Sequence, residues 1–581
     1  MGAGGPGAAA TPDDRGHRSH PGIPLLITLA ALAAGAVIGS FQIANTSIGW
    51  HLASGRWVLS ERAIPRADPF SLTAAGTPWL DHEWLFQVVA AIADGLGGAE
   101  ALVVLRALAV AALAGLLLLI AVRSGLSPPA ALLLALLCVA AARPRFFVRP
   151  ELVTLLVVPA CVWLFLSRHE RRPLVWLGGI AALMVLGANA HGGVLVVPFL
   201  LGGILAADAV QMLAARRPDL GALASGAAGV AVSALAVLAN PYGWRLWEAP
   251  FKLAHLIGQP HILTPEWFAP TLRQTPALFV ALAAAVVVMG LRERRLARWA
   301  LLAMASALAL RHVRNLGLFF VLLPLAAAPA LASFRALAER APDSGVRRRT
   351  EILAAAAALV LAVSVAISPR PGFGFGYAEG FYPEAACDFL DRESLPGAEL
   401  YNDVRFGGYL IDRYWPQRRV FQDDRNEIHE ALLAEIWSIF QASDAAAFTR
   451  LLERHDCDTA LVRYHPPLRV QSPSGEASGM RGFSALWFPR SEWALVFWDD
   501  VAMVFVRRGA APAGLLERSE YRALRPDDFA FVQQDILADD ELRAAALAEA
   551  QRAMAASPAG ERAAAIAAAI ASAPPAPLTG R

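Results

Sequence analysis

Apolar runs long enough to cross a bilayer recur through the first two thirds of this 581-residue chain, and nothing else in it constrains the fold as strongly. They lie near 24–44, 100–122, 127–142, 151–167, 173–189, 193–214, 221–239, 276–291, 297–311, 314–333 and 351–368. In hydrocarbon every backbone polar group needs an internal partner, so such runs become helices that pack on one another. The sequence therefore predicts a polytopic α-helical membrane bundle of about eleven spans, of which 127–142 and 297–311 are short and Ala-rich. A composition that is 56% hydrophobic and 17% charged agrees, and it excludes an ordinary soluble protein.

Basic residues orient the bundle, because Lys and Arg in short loops stay on the cytoplasmic side. Arg168, Arg171 and Arg172, then Arg216 and Arg217, then Arg292, Arg294, Arg295 and Arg298, then Arg335 through Arg349 fall on every second loop. These loops and the Gly-, Ala- and Pro-rich residues 1–22, expected to be a disordered N-terminus, are read as cytoplasmic. The first run lacks a clear small-residue cleavage site and reads as a retained span. The opposite, outer loops hold 45–99, 143–151, 189–193, 240–275 and 311–315.

Beyond Pro369 the pattern changes. A Gly, Pro and aromatic linker leads into amphipathic segments, which predict a soluble α/β domain over 369–540 and an Ala-rich helical tail over 541–581. Residues 398–403, 418–424 and 459–464 read as strands, 445–455 as a helix and 493–508 as a hairpin split at Asp499 and Asp500. Residues 544–571 read as a pair of repeat-like helices. Cys387 and Cys457 fall in this domain, where an oxidising compartment would permit a disulfide, though sequence cannot say whether they meet.

The loop 45–87 is too crowded to be a connector. It gathers His51, Asp68, Asp81, His82 and Glu83 among Trp and Phe rings beside a membrane face, where unpaired ionisable groups cost several kcal/mol. Asp81 and Glu83 either act as a base or cation-holding pair or simply cap the following span. His51 either orients a substrate or packs on Trp50, and Asp68 in an Asp-Pro step is most often a turn residue. Arg143, Arg145 and Arg149 ring one outer loop and Arg311, His312 and Arg314 another; guanidinium suits phosphate oxygens, while headgroup contact or pairing with Glu151 is the alternative. His191, Tyr242 and Arg245 close two spans and are candidates to line a polar site. Glu266 lies beside Trp267 in a long loop that is either a flap over the site or an interfacial anchor.

The spacing of His51, Gly55, Trp57, Pro65, Asp68, Pro69, Phe70, Ser71, Trp79, Asp81, His82, Glu83 and Trp84 resembles the first outer loop of type C glycosyltransferases (GT-C), specifically the bacterial protein-mannosyltransferase-like and aminoarabinose-transferase-like branch. The resemblance covers 24–368. It implies a multi-pass protein of a bacterial inner membrane, with the C-terminal domain in the periplasm. There a sugar would pass from a polyprenyl-phosphate donor to a glycan, lipid or protein acceptor, among membrane lipids. A divalent cation stays an open option. One departure stands out: where such proteins place an Asp just before the Trp-His pair, this chain has Asn45, Thr46 and Ser47. Either another carboxylate serves, with Asp81 and Glu83 the nearest, or the chain is a non-catalytic scaffold or lipid-sugar binder in envelope polysaccharide assembly. A transporter would show ionisable or broken span centres or duplicated halves, which are not evident. No basic stripe with interleaved aromatics points to nucleic acid.

Overall fold

The computed structural model describes residues 23–262, 264–335, 344–367, 372–471, 478–557 and 560–573, so the expected disordered start lies outside the described residues. Helices occupy each apolar run: α1 (Leu25–Gly39), α3 (Trp84–Arg123), α4 (Pro128–Ala142), α5 (Glu151–Leu166), α6 (Pro173–Ala190), α7 (Val196–Ala214), α8 (Leu220–Ala236), α10 (Pro276–Arg292), α11 (Leu296–Arg311), α12 (Leu316–Arg335) and α13 (Ser344–Ala366). Two more, α2 (Ile48–Glu61) and α9 (Ala249–Ile257), lie within segments read from sequence as loops. Among the described residues, five stretches are long and apolar enough to cross a membrane: Trp84–Arg123, Pro128–Arg145, Pro173–Ala190, Gly192–Ala214 and Val313–Phe334. Shorter apolar helices such as Leu25–Gly39 and Glu151–Leu166 pack among them. The chain is a membrane protein.

Helix α3 breaks at Gly97 and Gly98, and Gly98 takes φ 61 and ψ −151, a region open in practice only to glycine. The break falls just before the span start read from sequence, so the helix has a first arm, beginning directly after Glu83, and a membrane-buried second one. Ile27, Ala31 and Ile38 of α1 share a core with Val110 and Leu117 of α3. The last carbonyls of α1 are orphaned by helix geometry and are met by arginines. Arg106 donates from Nε to Gly39 O at 2.7 Å and also to Phe41 O, and Arg143 Nε donates to Ile38 O at 3.3 Å.

The linker is tied down. Ala378 N donates to Ile43 O at 2.9 Å, Ile43 N to Gly376 O at 2.9 Å, and Tyr382 Oη to Asn45 O at 2.9 Å. Beyond it come α14 (Glu384–Arg392), β1 (Glu399–Asn402), α15 (Val404–Tyr414), α16 (Asn426–Ala442), α17 (Ala445–Arg454), β2 (Cys457–Arg463), β3 (Leu468–Gln471), β4 (Ser478–Arg481), α18 (Phe483–Trp487), β5 (Trp493–Trp498), β6 (Ala502–Arg507), α19 (Leu515–Ser519), α20 (Phe529–Ala538), α21 (Asp540–Ala556) and α22 (Glu561–Ser572). The main sheet runs β1-β2-β6-β5, with β1 parallel to β2 and the rest antiparallel. The crossover through α15 to α17 makes an α/β unit, and the expected hairpin turns at Asp499 and Asp500. The expected helix pair near the C-terminus packs into the same core as the sheet through Ala546, Ala550, Ala553, Ile566 and Ile570.

One expectation is corrected and one open question is answered here. Residues 418–424 form no strand of the sheet. Val420 instead exchanges backbone hydrogen bonds with the first loop, Val420 N to Phe70 O at 3.1 Å and Leu72 N to Val420 O at 2.7 Å. Cys387 and Cys457 are free and buried, because they sit in different packing clusters.

The domain docks on the bundle's loops at a glycine crossing. A Cβ on Gly49 of α2 would lie 2.1 Å from Gly408 O of α15, and one on Gly408 would lie 2.1 Å from Thr46 O. The Gly407 and Gly408 pair is a helical contact surface that lets two backbones meet.

Candidate functional site

Glu83 occupies the N-cap of α3, at the end of the first loop, and its carboxylate lies among three imidazoles. Oε1 is 3.7 Å from His191 Nε2 and 3.9 Å from His82 Nε2, and Oε2 is 3.8 Å from His51 Nδ1. The sequence places these histidines on α2, on the turn before α3 and at the C-cap of α6, so three separate elements converge.

Hydrogen bonds fix the tautomers of two of them. His191 Nδ1 accepts from Gly193 N at 3.3 Å and lies 2.7 Å from Thr154 Oγ1, so the neutral ring carries its proton on Nε2, facing Glu83. His82 Nδ1 donates to Leu80 O at 3.2 Å, which leaves Nε2 as an acceptor facing the same carboxyl. Glu83 thus lies between a ring nitrogen that donates and one that accepts. Burial holds His51 and His191 far below the ordinary histidine range, helped by Arg149 at His51 and Arg314 at His191. Burial also raises Glu83 to about 8, with Glu427 and Asp424 pushing the same way and Arg314 and Arg149 opposing.

Asp81, two residues earlier, is also raised to about 8, first by burial and then by Glu83. Its Oδ1 accepts from Gln87 Nε2 at 2.6 Å, while its buried Oδ2 has no hydrogen-bond partner among the described residues. The buried Tyr242 hydroxyl is unpartnered too, and its acidity is suppressed by burial and by Asp81. No three His, Cys, Asp or Glu side chains among the described residues converge on a common point in a metal-holding arrangement.

The basic residues divide. Arg143 serves the end of α1, as described. Arg145 is 5% exposed and committed: Nε and NH2 bind Glu151 at 3.2 and 2.6 Å, and NH1 binds Glu266 at 3.1 Å. Arg311 is exposed and contacts His312, which is itself fixed on Trp267 O at 2.6 Å. Arg245 is exposed. Arg149 and Arg314 remain, partly exposed and both beside the carboxyl cluster. Arg149 Nε donates to Asn45 Oδ1 at 2.8 Å and Ser47 Oγ at 3.0 Å, and Arg314 NH1 donates to Glu266 Oε1 at 2.6 Å.

Glu266, from the loop read as a flap or an anchor, is the shared counterion of this group. Burial would raise its pKa, but Arg314, Arg145 and Arg149 more than reverse that and hold it at about 2. Trp267 lies under the Arg314 guanidinium at 4.7 Å. The long loop is thus pinned to two other loops by charge.

Asp68 is a docking residue rather than a site residue. It accepts from Phe70 N and Ser71 N at 3.1 and 3.0 Å and pairs with Arg425 NH1 at 2.9 Å, all fully buried. Arg425 also grips Asp423 through Nε at 2.8 Å and NH2 at 2.6 Å, inside a box of Trp79, Phe70 and Trp50 rings. His429 Nε2 lies 3.2 Å from Asp423 Oδ2. Burial alone would raise Asp423, yet Arg425 and His429 pull it far below the carboxylate range. Such a buried pair contributes little net stability but costs about 3–5 kcal/mol when one member is removed.

Sequence reading did not place Asp424 or Glu427 at this site. Both come from the C-terminal domain, and both raise Glu83. Thr46 Oγ1 donates to Asp424 Oδ2 at 2.6 Å and Trp50 Nε1 to Asp424 Oδ1 at 2.8 Å. Pairings across 378 residues of chain carry no local signal.

No family model matches the sequence, and no curated protein matches it. Solved structures do match the fold. The oligosaccharyltransferase of Archaeoglobus fulgidus in its apo form aligns with a TM-score of 0.54 at 14% identity over 78% of this chain and 74% of its own. The same enzyme, tethered through a disulfide to an acceptor peptide containing the NVT sequon, gives 0.51 at 14% identity over 79% and 74%. At such identity the likeness is one of fold alone.

Proposed function

We propose that the chain is a membrane glycosyltransferase that moves a sugar from a polyprenyl-phosphate donor to a glycan, lipid or protein acceptor on the periplasmic face of a bacterial inner membrane. This reading takes residues 23–368 as a GT-C-like unit of about eleven spans, with 45–99 its first outer part, 369–540 the periplasmic domain and 541–581 its helical end. The observation that carries it is Glu83, a partly exposed carboxyl tuned to about 8 beside two partly exposed arginines. Transfer needs a base at the attacking atom and cations on the departing phosphate, and this group supplies both.

In this mechanism the acceptor oxygen attacks the anomeric carbon and gives its proton to the Glu83 carboxylate. The bond from that carbon to the phosphate oxygen breaks, and polyprenyl phosphate leaves with the electron pair. Arg149 and Arg314 meet the charge that develops on it. His191 Nε2 and His82 Nε2 flank the carboxyl at 3.7 and 3.9 Å, beyond direct hydrogen-bond distance, and set the polar surround in which it titrates. Asp81, its charge held off by burial and by Glu83, acts as a second acid in the same field.

The test is reconstitution in nanodiscs with a panel of polyprenyl-phosphate sugars, following free polyprenyl phosphate by mass spectrometry. Release from at least one donor supports the reading. Donor binding without release across the panel would replace it with a lipid-sugar binding protein, and absence of binding would leave the fold alone.

A further inference from the structure

We infer that the C-terminal domain contributes a working carboxylate, Asp424, to the membrane-face site, which is therefore assembled from two distant parts of the chain. The inference rests on the site reading above and extends it.

Adjacent residues show the contrast. Asp423 is fully buried, with its charge matched by Arg425 and His429. Asp424 is only half-buried, and among the described residues no ion pair at contact distance includes it. Arg149 donates to Asn45 and Ser47, on either side of the Thr46 whose hydroxyl bonds Asp424, so its charge acts on Asp424 as it does on Glu83. One carboxylate locks the domain onto the first loop, and the next one accepts from Thr46 and Trp50 at the start of α2.

Its place is a helix start that carries no acid of its own. The residues from Ser40 to Gly49 contain no acid, and the first turn of α2 has none. The Ser47 hydroxyl is turned to Asn45 Oδ1 at 2.9 Å instead of capping the helix. A helix N-terminus attracts anions, and Asp424 reaches it by accepting from Thr46 and Trp50, on either side of Ser47. Both carboxylate oxygens keep free lone pairs after these two bonds, so the group can still act toward a substrate.

Its position is held independently of those two bonds. The buried Arg425 pairs fix the residue beside it, and the Gly49 and Gly408 crossing fixes α15 against α2. A group held by a rigid surround is positioned for chemistry.

Two variants and two readouts test this. Asp424→Asn keeps an acceptor for Trp50 and removes the charge. Thr46→Asp with Asp424→Thr transposes the ends of one hydrogen bond and returns the charge to the same place. With the donor found in the nanodisc assay, Asp424→Asn should lower kcat about a hundredfold with thermal stability retained, and the transposed pair should recover most of it. The second readout needs no turnover: the infrared titration of the Glu83 carboxyl, assigned by its loss in Glu83→Gln, should move to lower pH in Asp424→Asn and return in the transposed pair. Unchanged Glu83 titration in Asp424→Asn would overturn the inference whether or not the protein transfers sugar. Full activity in that variant would overturn it too. A shifted and restored titration in a protein that releases no donor phosphate would sustain the shared site and sink only the transferase reading.

Discussion

At the residue scale the account turns on Glu83. A carboxyl left in water titrates near its ordinary value of 4.5, whereas burial and nearby Glu427 and Asp424 lift this one to about 8. As a base it works only when ionised, so the sign is fixed. Turnover should rise with pH and level off above about 8, with a single proton lost along the rising limb. A rate profile already flat between pH 5 and 7 would place the base elsewhere. Asp81, His82 and Glu83 were legible in the sequence because they are contiguous and sit directly before a span. The role of Asp68 was not, since its partner Arg425 is brought to it only by the folded domain. The arginines were legible as a group and not one by one: which guanidinium is spent on Glu151, on an α1 carbonyl or on Glu266 depends on packing that sequence does not show.

At the element scale the apolar runs announced their helices, because hydrocarbon leaves the backbone no other choice. The misses were elements whose reason lies in tertiary contact. Helix α2 sits in a loop by composition, and it is stabilised by α3 on one side and α15 on the other. Residues 418–424 have the β-rich look of a strand, but their partner is the first loop and not the sheet. The Gly407 and Gly408 step reads like a turn until α2 is seen against it. Gly408→Ala should therefore loosen the domain, because the added methyl meets the Thr46 carbonyl at 2.1 Å and the backbones must part. Overpacking of this kind costs about 1–3 kcal/mol, read as a fall in thermal unfolding midpoint. Gly178→Ala, in α6 with nothing within 4 Å of the new methyl, is the matched control and should leave the midpoint unchanged or slightly higher.

At the scale of the whole molecule the bundle's loops and the C-terminal domain form one surface, joined by the tied linker, the glycine crossing and the buried Arg425 group. The positive-inside pattern assigns that surface to the side opposite Arg216 and Arg217. A cysteine introduced at Arg217 should resist a membrane-impermeant maleimide in intact cells with a permeabilised outer membrane, while one at Gly479 in the C-terminal domain should react. The reverse pattern would invert the bundle. The four native cysteines are buried and should stay silent.

The most direct measurement is the turnover of Glu83→Gln beside wild type on the same polyprenyl-phosphate sugar, with donor affinity measured in parallel. Glutamine keeps the shape of the side chain and cannot take a proton. The account predicts a fall of about 10²–10⁴ in kcat with donor Kd little changed. Turnover within a few-fold of wild type would contradict it.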